Sequence, residues 1–191
     1  LWVGDTHVAV TLTGFNGEIN SFGNGTVIAY RKDTLEETAR FAVPPNAQFL
    51  FQGADARLHV VCTGNFVDVP GQVVRVEADW SAVRDTLILG GAPGRAILVP
   101  DRTAYLAGFS GGLTNYDTID FELVNGSQNP VIPDTGLTDL AFAGDTLYVS
   151  NFELDAIKMV RLSTRTQVGQ VALGGDGPIG VAVWKGTDTV P

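Results

Sequence analysis

The sequence predicts an all-β protein, a β-propeller of four-stranded antiparallel blades, of which about four are present. Three observations carry this prediction: strand-forming residues broken by turn residues, an internal repeat of about 40–50 residues, and four short strand-like segments in each repeat. One small twisted sheet cannot bury both of its faces alone. Sheets stacked around an axis can bury those faces against one another.

The composition is that of a globular protein with many turns. Of the 191 residues, 45% are hydrophobic, 17% are charged and 23 are glycine. Val, Thr, Leu and Phe recur in short runs between Gly, Asn and Asp, a pattern typical of strands joined by tight turns. The one window with helical character, "KDTLEETAR", is short and leads directly into "FAVPP".

The charge balance and the apolar runs exclude several classes of partner. With 12 Lys+Arg against 21 Asp+Glu, the formal net charge is −9, so the basic surface that nucleic acid requires is absent. No run of about 18 apolar residues marks a transmembrane segment. Cys62 is the single cysteine, which excludes an intrachain disulfide, and its apolar context "LHVVCTG" predicts a buried thiol.

Two landmarks repeat with nearly the same period. The segments "DTHVAVTLTGF", "ARLHVVCTGNF", "RTAYLAGF" and "DTLYVSNF" end at Phe15, Phe66, Phe109 and Phe152, in steps of 51, 43 and 43 residues. A second set of segments ends at Val43, Leu89, Ile132 and Leu173, in steps of 46, 43 and 41 residues. Two independent landmarks that share one period are not expected by chance, so they indicate repeated structural units.

A third element, a short apolar strand, precedes each unit and occurs five times: "LWV" (1–3), "FLF" (49–51), "ILV" (97–99), "LAF" (140–142) and "VAV" (181–183). We therefore expect one propeller region over 1–191, with blades at about 1–46, 47–93, 94–136 and 137–177. The first strand of a further blade is expected over 178–187.

The surplus first strand indicates an arc of a larger ring; a complete four-bladed propeller is the alternative. An open arc would expose apolar faces and unpaired strand edges. We therefore expect either a protein partner or further blades of the same parent chain.

The chain resembles the YVTN-type propeller repeat family along its whole length, strongly in its last third and weakly in its first. The matching residues are Tyr148, Val149, Ser150, Asn151, Gly174 and Pro178. Blade 3 keeps the aromatic as Tyr105, whereas His7 and His59 stand at that position in blades 1 and 2. The resemblance implies a ring of about seven blades and an envelope or extracellular setting, periplasmic, cell-surface or secreted.

The loops between the second and third strands are expected to form a binding rim, because loops carry function on a rigid scaffold. These loops are predicted at 13–25, 63–72, 108–117 and 151–156. Their polar residues predict an electronegative mouth suited to a cation, a sugar or a basic peptide; the alternative is that they serve turn geometry. The candidate binding residues are Asn16, Glu18, Asn65, Asp68, Asn115, Asp117, Asn151, Glu153 and Asp155.

No catalytic residue and no metal ligand set is predicted. His7 and His59 occupy a repeat position that is otherwise tyrosine, which favours a structural role over a catalytic one. No cofactor is predicted, and a divalent cation at the acidic rim is left open.

The leading interpretation is a non-enzymatic binding or scaffold module outside the cytoplasm. One alternative is a propeller enzyme similar to lactonases, lyases or quinone-dependent dehydrogenases, with a metal- or cofactor-assisted site over the channel. The other is a structural subunit of a large assembly.

Overall fold

The computed structural model describes residues 1–175 and 177–184. Within these residues the regular structure is entirely β-strand, in four four-stranded antiparallel sheets and one two-stranded hairpin. The described part contains no helix long and apolar enough to cross a membrane. The strands, numbered along the chain, are β1 (Trp2–Val3), β2 (His7–Leu12), β3 (Phe15–Asn16), β4 (Ser21–Phe22), β5 (Asn24–Arg31), β6 (Glu37–Pro45), β7 (Ala47–Gln52), β8 (Leu58–Cys62), β9 (Gln72–Val76), β10 (Val83–Ile88), β11 (Ala92–Leu98), β12 (Thr103–Ser110), β13 (Leu113–Asp117), β14 (Glu122–Asn125), β15 (Leu137–Ala143), β16 (Thr146–Asn151), β17 (Ala156–Arg161) and β18 (Thr166–Ala172).

Each four-stranded sheet is one blade, and within it strands that follow one another in the chain lie side by side. Blade 1 has the order β1-β2-β5-β6, blade 2 β7-β8-β9-β10, blade 3 β11-β12-β13-β14 and blade 4 β15-β16-β17-β18. Turns or loops that reverse the chain join neighbouring strands within each blade, and every pairing is antiparallel. The hairpin β3–β4 projects from the connection between β2 and β5. These four sheets are the predicted four-stranded blades.

Consecutive blades pack face to face through their first two strands. Strand β2 contacts β7, β7 and β8 contact β11, and β11 and β12 contact β15. Successive side chains of β8 face opposite sides of the sheet. Val60 packs in the core shared with blade 1, and Val61 packs in the core shared with blade 3. Both side chains are fully buried, which explains why "LHVVC" is apolar without interruption. Each such burial contributes about 1.5–3 kcal/mol.

The four blades form an open arc in this structure. Among the described residues, no strand of blade 4 makes an extensive contact with a strand of blade 1, although each of the three sequential blade pairs does. The arc therefore ends in two sheet faces that no other blade of the described chain covers, one on blade 1 and one on blade 4.

The structure corrects two predictions about individual elements. Segment 108–117 is not a loop, because β12 runs to Ser110 and β13 begins at Leu113, leaving Gly111 and Gly112 as a two-residue turn. Both glycines have positive φ, 84° and 78°, the backbone that a tight hairpin needs. The predicted first strand at 178–187 is not a strand over 178–184, and 185–187 lie outside the described residues. A single segment without a partner strand cannot form a ladder.

Candidate functional site

Four phenylalanines that mark the repeat lie on one edge of the arc, the edge at which the second strand of each blade ends. Phe15, Phe66, Phe109 and Phe152 are 53%, 61%, 56% and 47% exposed. We call this edge the rim; it consists of the segments 13–23, 63–71, 108–112 and 151–155 together with the connections between blades. Single exposed apolar side chains are ordinary, but a phenylalanine on the same edge of each of four blades is a surface feature.

Backbone hydrogen bonds hold the rim loops in place. Asn46, between blades 1 and 2, donates its N–H to Thr13 O and accepts from Thr63 N–H, both at 2.9 Å. Gly136, between blades 3 and 4, repeats the pattern with Phe109 O at 2.9 Å and Phe152 N–H at 2.8 Å. Each of these connections between blades therefore ties together the loops on either side of it, so the exposed rings are carried on a fixed frame.

Aromatic contacts join blade 1 to blade 2 on the rim. Phe15 and Phe22 of the β3–β4 hairpin have ring centroids 5.0 Å apart. Phe22 meets Phe66 of blade 2 edge to face at 6.0 Å. Such geometry adds about 0.5–1.5 kcal/mol per pair beyond area burial. The long loop of blade 1 is thus anchored beside Phe66.

A groove of about 450 Å³ runs across the rim between the rings of Phe66 and Phe109. First strands of three blades form its floor, and the remaining lining residues are Gln48, Thr63, Ala92, Gly94, Leu137 and Thr138. The polar members already have partners. Gln48 donates to Asn46 Oδ1 at 2.9 Å, Thr63 to Pro93 O at 2.8 Å and Thr138 to Pro178 O at 3.0 Å. The groove is therefore an apolar cleft with two aromatic walls.

A slightly larger depression, about 500 Å³, lies at the opposite end of blade 1. It is lined by Asp5, Thr6, Arg31, Lys32 and Asp33 and has no aromatic wall. The Lys32 ammonium donates to Gly4 O at 3.3 Å. Its mixed and exposed charges form no focused site.

Seven of the nine candidate binding residues lie on the rim, and several of them hold turns. The Asn65 side-chain oxygen accepts from the N–H groups of Val67, Asp68 and Val69, and its amide donates to Asp68 at 2.7 Å. Asn16 and Asn151 each accept one local N–H in the same way. The exposed residues among the seven are Asn16, Glu18, Asp68 and Glu153, and those less exposed are Asn65, Asn151 and Asp155.

The other two candidates, Asn115 and Asp117, are not on a rim loop. Both belong to β13, and Asn115 is fully buried. Asp117 lies at the opposite end of the blade, where it contacts Arg102 Nε at 2.7 Å and accepts the N–H groups of Ile119 and Asp120. The Gly111–Gly112 turn causes this difference because it returns the chain into a strand directly after Ser110.

The rim acids do not converge on one point. Glu153 accepts from the Thr135 hydroxyl, and Asp155 accepts from the Gly175 N–H. In the described part of the chain, no group of three or more His, Cys, Asp or Glu side chains could hold one metal ion.

His59 belongs to a buried polar chain between blades 2 and 3. Its Nε2 lies 3.1 Å from Asp55 Oδ1, and its Nδ1 lies 2.6 Å from the Tyr116 hydroxyl. Arg75 contacts the other Asp55 oxygen at 3.2 Å. Burial lowers the pKa of His59, although the Asp55 charge opposes that shift. Burial also raises the pKa of Tyr116. His59 has no exposed surface, so this set of hydrogen-bonded side chains connects blades 2 and 3 and does not contact a ligand.

Comparison with known proteins identifies the fold. No model of a protein family matches the sequence. No curated protein matches it either. Solved structures do match: the Dos1 propeller has a TM-score of 0.68 at 9% identity, over 91% of this chain and 44% of that one. The fold is a β-propeller.

Two further solved structures agree with that fold. The computationally designed Ika8 protein has a TM-score of 0.65 at 11% identity, covering 96% of this chain and 51% of its own. Apo AztD from Citrobacter koseri has a TM-score of 0.55 at 13% identity, covering 82% and 45%. The chain spans about half the length of these structures. The YVTN-type resemblance stays a prediction.

The exposed aromatics are the feature that sequence reasoning used only as a landmark. The signal was present, since each of the four rings follows a Gly or Asn at the end of a second strand: Gly14, Asn65, Gly108 and Asn151. A large aromatic directly after such a residue stands at or beyond the end of a blade's second strand, where no neighbouring sheet faces the side chain.

Proposed function

We propose that this propeller is a non-enzymatic binding module that takes an extended segment of a partner protein into the rim groove. One observation carries the proposal: each blade places a half-exposed phenylalanine at or beyond the end of its second strand, all along one rim, and two of them, Phe66 and Phe109, line an apolar cleft. Aromatic side chains fixed on a rigid frame are the usual anchors of protein interfaces, because they bury a large area at little entropic cost.

The charge around the groove favours a basic partner segment. Glu18, Asp68 and Glu153 are exposed on the rim, and the whole chain carries a net charge of −9. Arg95, near the groove, forms an ion pair with Asp139, with its Nε 3.0 Å from Asp139 Oδ1. We expect the partner segment to place an apolar side chain between the two rings and Lys or Arg beside the acids. The acids then act mainly on the association rate and on partner choice.

The setting we propose for this role is outside the cytoplasm, on the basis of the YVTN-type resemblance. Detection of the protein in periplasmic, surface or culture fractions would support it, and confinement to the cytosolic fraction would contradict it.

Selection of ligands from a random phage-displayed peptide library on the intact chain tests the binding role. Selected peptides should be enriched in aromatic or long aliphatic residues next to Lys or Arg. Their affinity should fall by about 30-fold, or ~2 kcal/mol, in a Phe66→Ala, Phe109→Ala variant. The matched control is Leu35→Ala, which removes a side chain that is 69% exposed at the opposite end of blade 1. Equal affinity for all three proteins contradicts a rim site.

A further inference from the structure

Blade 4 presents one sheet face that no other blade of the described chain covers. We call it the open face; it consists of Tyr148, Ile157, Met159 and Val171, which strand pairing places on one side of the sheet. Val171 is 50% exposed, and the other three are partly exposed. The opposite side, with Leu147 and Val149, is fully buried against blade 3.

The preceding blade shows what covers the same face elsewhere. Tyr105 of β12 is the repeat equivalent of Tyr148, and it is fully buried in the core that blade 4 closes. Its cross-strand neighbour Asn115, the equivalent of Met159, is fully buried too. In blade 2, His59 stands at the same position, and blade 3 covers it completely. At each of these positions the cover is a four-stranded blade.

Residues 178–183 already lie where the innermost strand of such a cover would begin. Thr138 of β15 donates its hydroxyl hydrogen to Pro178 O at 3.0 Å, and Val181 N–H donates to Asp139 at 3.2 Å. A similar hydrogen bond, from Thr63 to Pro93 O at 2.8 Å, joins blade 2 to the first strand of blade 3. From Val181 to Trp184, partly buried residues alternate with exposed ones, as in a strand with one covered face.

The sequence continues the repeat beyond this segment. Asp188, Thr189 and Val190 follow "VAV" after four residues, and the similar Asp145, Thr146 and Leu147 follow "LAF" after two. In blade 4 those residues start the second strand.

We propose that the open face of blade 4 is the seat of a fifth four-stranded blade, which begins in this chain and takes residues 178–183 as its innermost strand. Three further antiparallel strands, apolar on the side towards Tyr148 and Met159, complete it. The apolar area and the unpaired edge of 178–183 are then buried together, as at the three blade interfaces present. This inference is independent of the rim groove.

A second copy of the chain fits the open face less well. Its blade 1 would bring its own innermost strand, β1, which already pairs with β2 through Trp2 and Val3. Residues 178–183 and β1 would then compete for the same edge of one blade.

Addition of a fifth blade tests the proposal. In the extended chain, Pro191→Tyr is followed by a second copy of residues 149–173, in which Met159→Leu removes the duplicate methionine. Met159, the one methionine of the chain, then reports on the open face through its rate of peroxide oxidation, read by peptide mapping. The matched control carries Val149→Asn, Val160→Asn and Leu162→Asn in the appended copy only. Slow exchange of β8 amides checks that blades 1–4 stay folded in every protein.

The apolar extension should slow Met159 oxidation by roughly fivefold or more and protect the amides of 178–183, and the polar control should do neither. Equal effects of the two extensions, or no effect of either, overturn the proposal. Light scattering on the unextended chain measures whether it is a monomer or a dimer. A dimer in which Met159 is already protected makes a second copy the occupant and also overturns it.

Discussion

At the scale of single residues, the buried hydrogen-bonded side chains between blades 2 and 3 need specific partners, because an unpaired polar group in the core would be costly. A neutral His59 donates Nε2–H to Asp55 and accepts at Nδ1 from the Tyr116 hydroxyl, so each ring nitrogen has one partner. Phe51 and Phe121 pack on the ring, with centroids at 5.3 and 5.6 Å. A second proton on His59 would remove the acceptor that Tyr116 uses, and burial disfavours the added charge.

We expect His59 to make stability pH-dependent. Because burial lowers its pKa below the value in the unfolded chain, the unfolded state binds a proton first as pH falls from about 6.5. The stabilisation is thus complete above that pH and is lost as pH falls towards the folded-state pKa. Urea unfolding at about pH 7.5 and about pH 5.5 should show a larger decrease for the wild type than for His59→Gln. The same decrease in both proteins would assign the effect to other groups.

At the scale of elements, the turn between β12 and β13 decides where two candidate residues lie. A side chain at Gly112 would meet the carbonyl oxygen of Ile132 at 2.1 Å, and the backbone there has φ of 78°. Only glycine fits both constraints. The turn therefore sends Asn115 into the core and Asp117 to the other end of the blade, although both stand near rim residues in the sequence.

Gly112→Ala should cost ~2–4 kcal/mol, because the steric conflict adds to the positive φ. Gly144→Ala is the matched control, since φ is 56° there but a side chain would meet open space, and we expect about 1 kcal/mol. Chemical denaturation of both variants measures the difference. Equal losses would show that the close approach to Ile132 relaxes at little cost.

At the scale of the whole molecule, the open arc predicts uneven stability. Interior blades have a neighbour on both faces, whereas blades 1 and 4 have one each in this structure. When units stack only on their neighbours, terminal units lack one interface and open more readily.

Native-state hydrogen exchange should therefore be slowest in β8 and β12, with amides in β17 and β18 exchanging roughly tenfold faster or more. Mass spectrometry of peptides from the intact chain measures this order. Equal protection across all four blades would mean that blades 1 and 4 are covered in solution, either by each other or by a partner.

Much of the architecture could be read from the sequence because each blade solves the same packing problem with the same pattern. Runs such as "LHVVC" and "LYVSN" encode strands, and their period encodes the blade. Asn65 and Asn151 each accept a nearby backbone N–H beside the rim, as turn residues do, because their hydrogen bonds are local. Local patterns of this kind depend on nearby residues alone.

Only the tertiary structure decided which side chains meet. Among the described residues, blades 1 and 4 make no extensive contact. Phe66 and Phe109 line one groove, and His59 contacts Tyr116 across a blade interface. These contacts join residues more than 40 positions apart in the chain. The strand pattern determines that two faces are apolar, whereas the angle and order of the blades determine which face finds a partner. By itself the sequence determined a repeated four-stranded blade; the packing of those blades decided the groove, the buried histidine and the uncovered face.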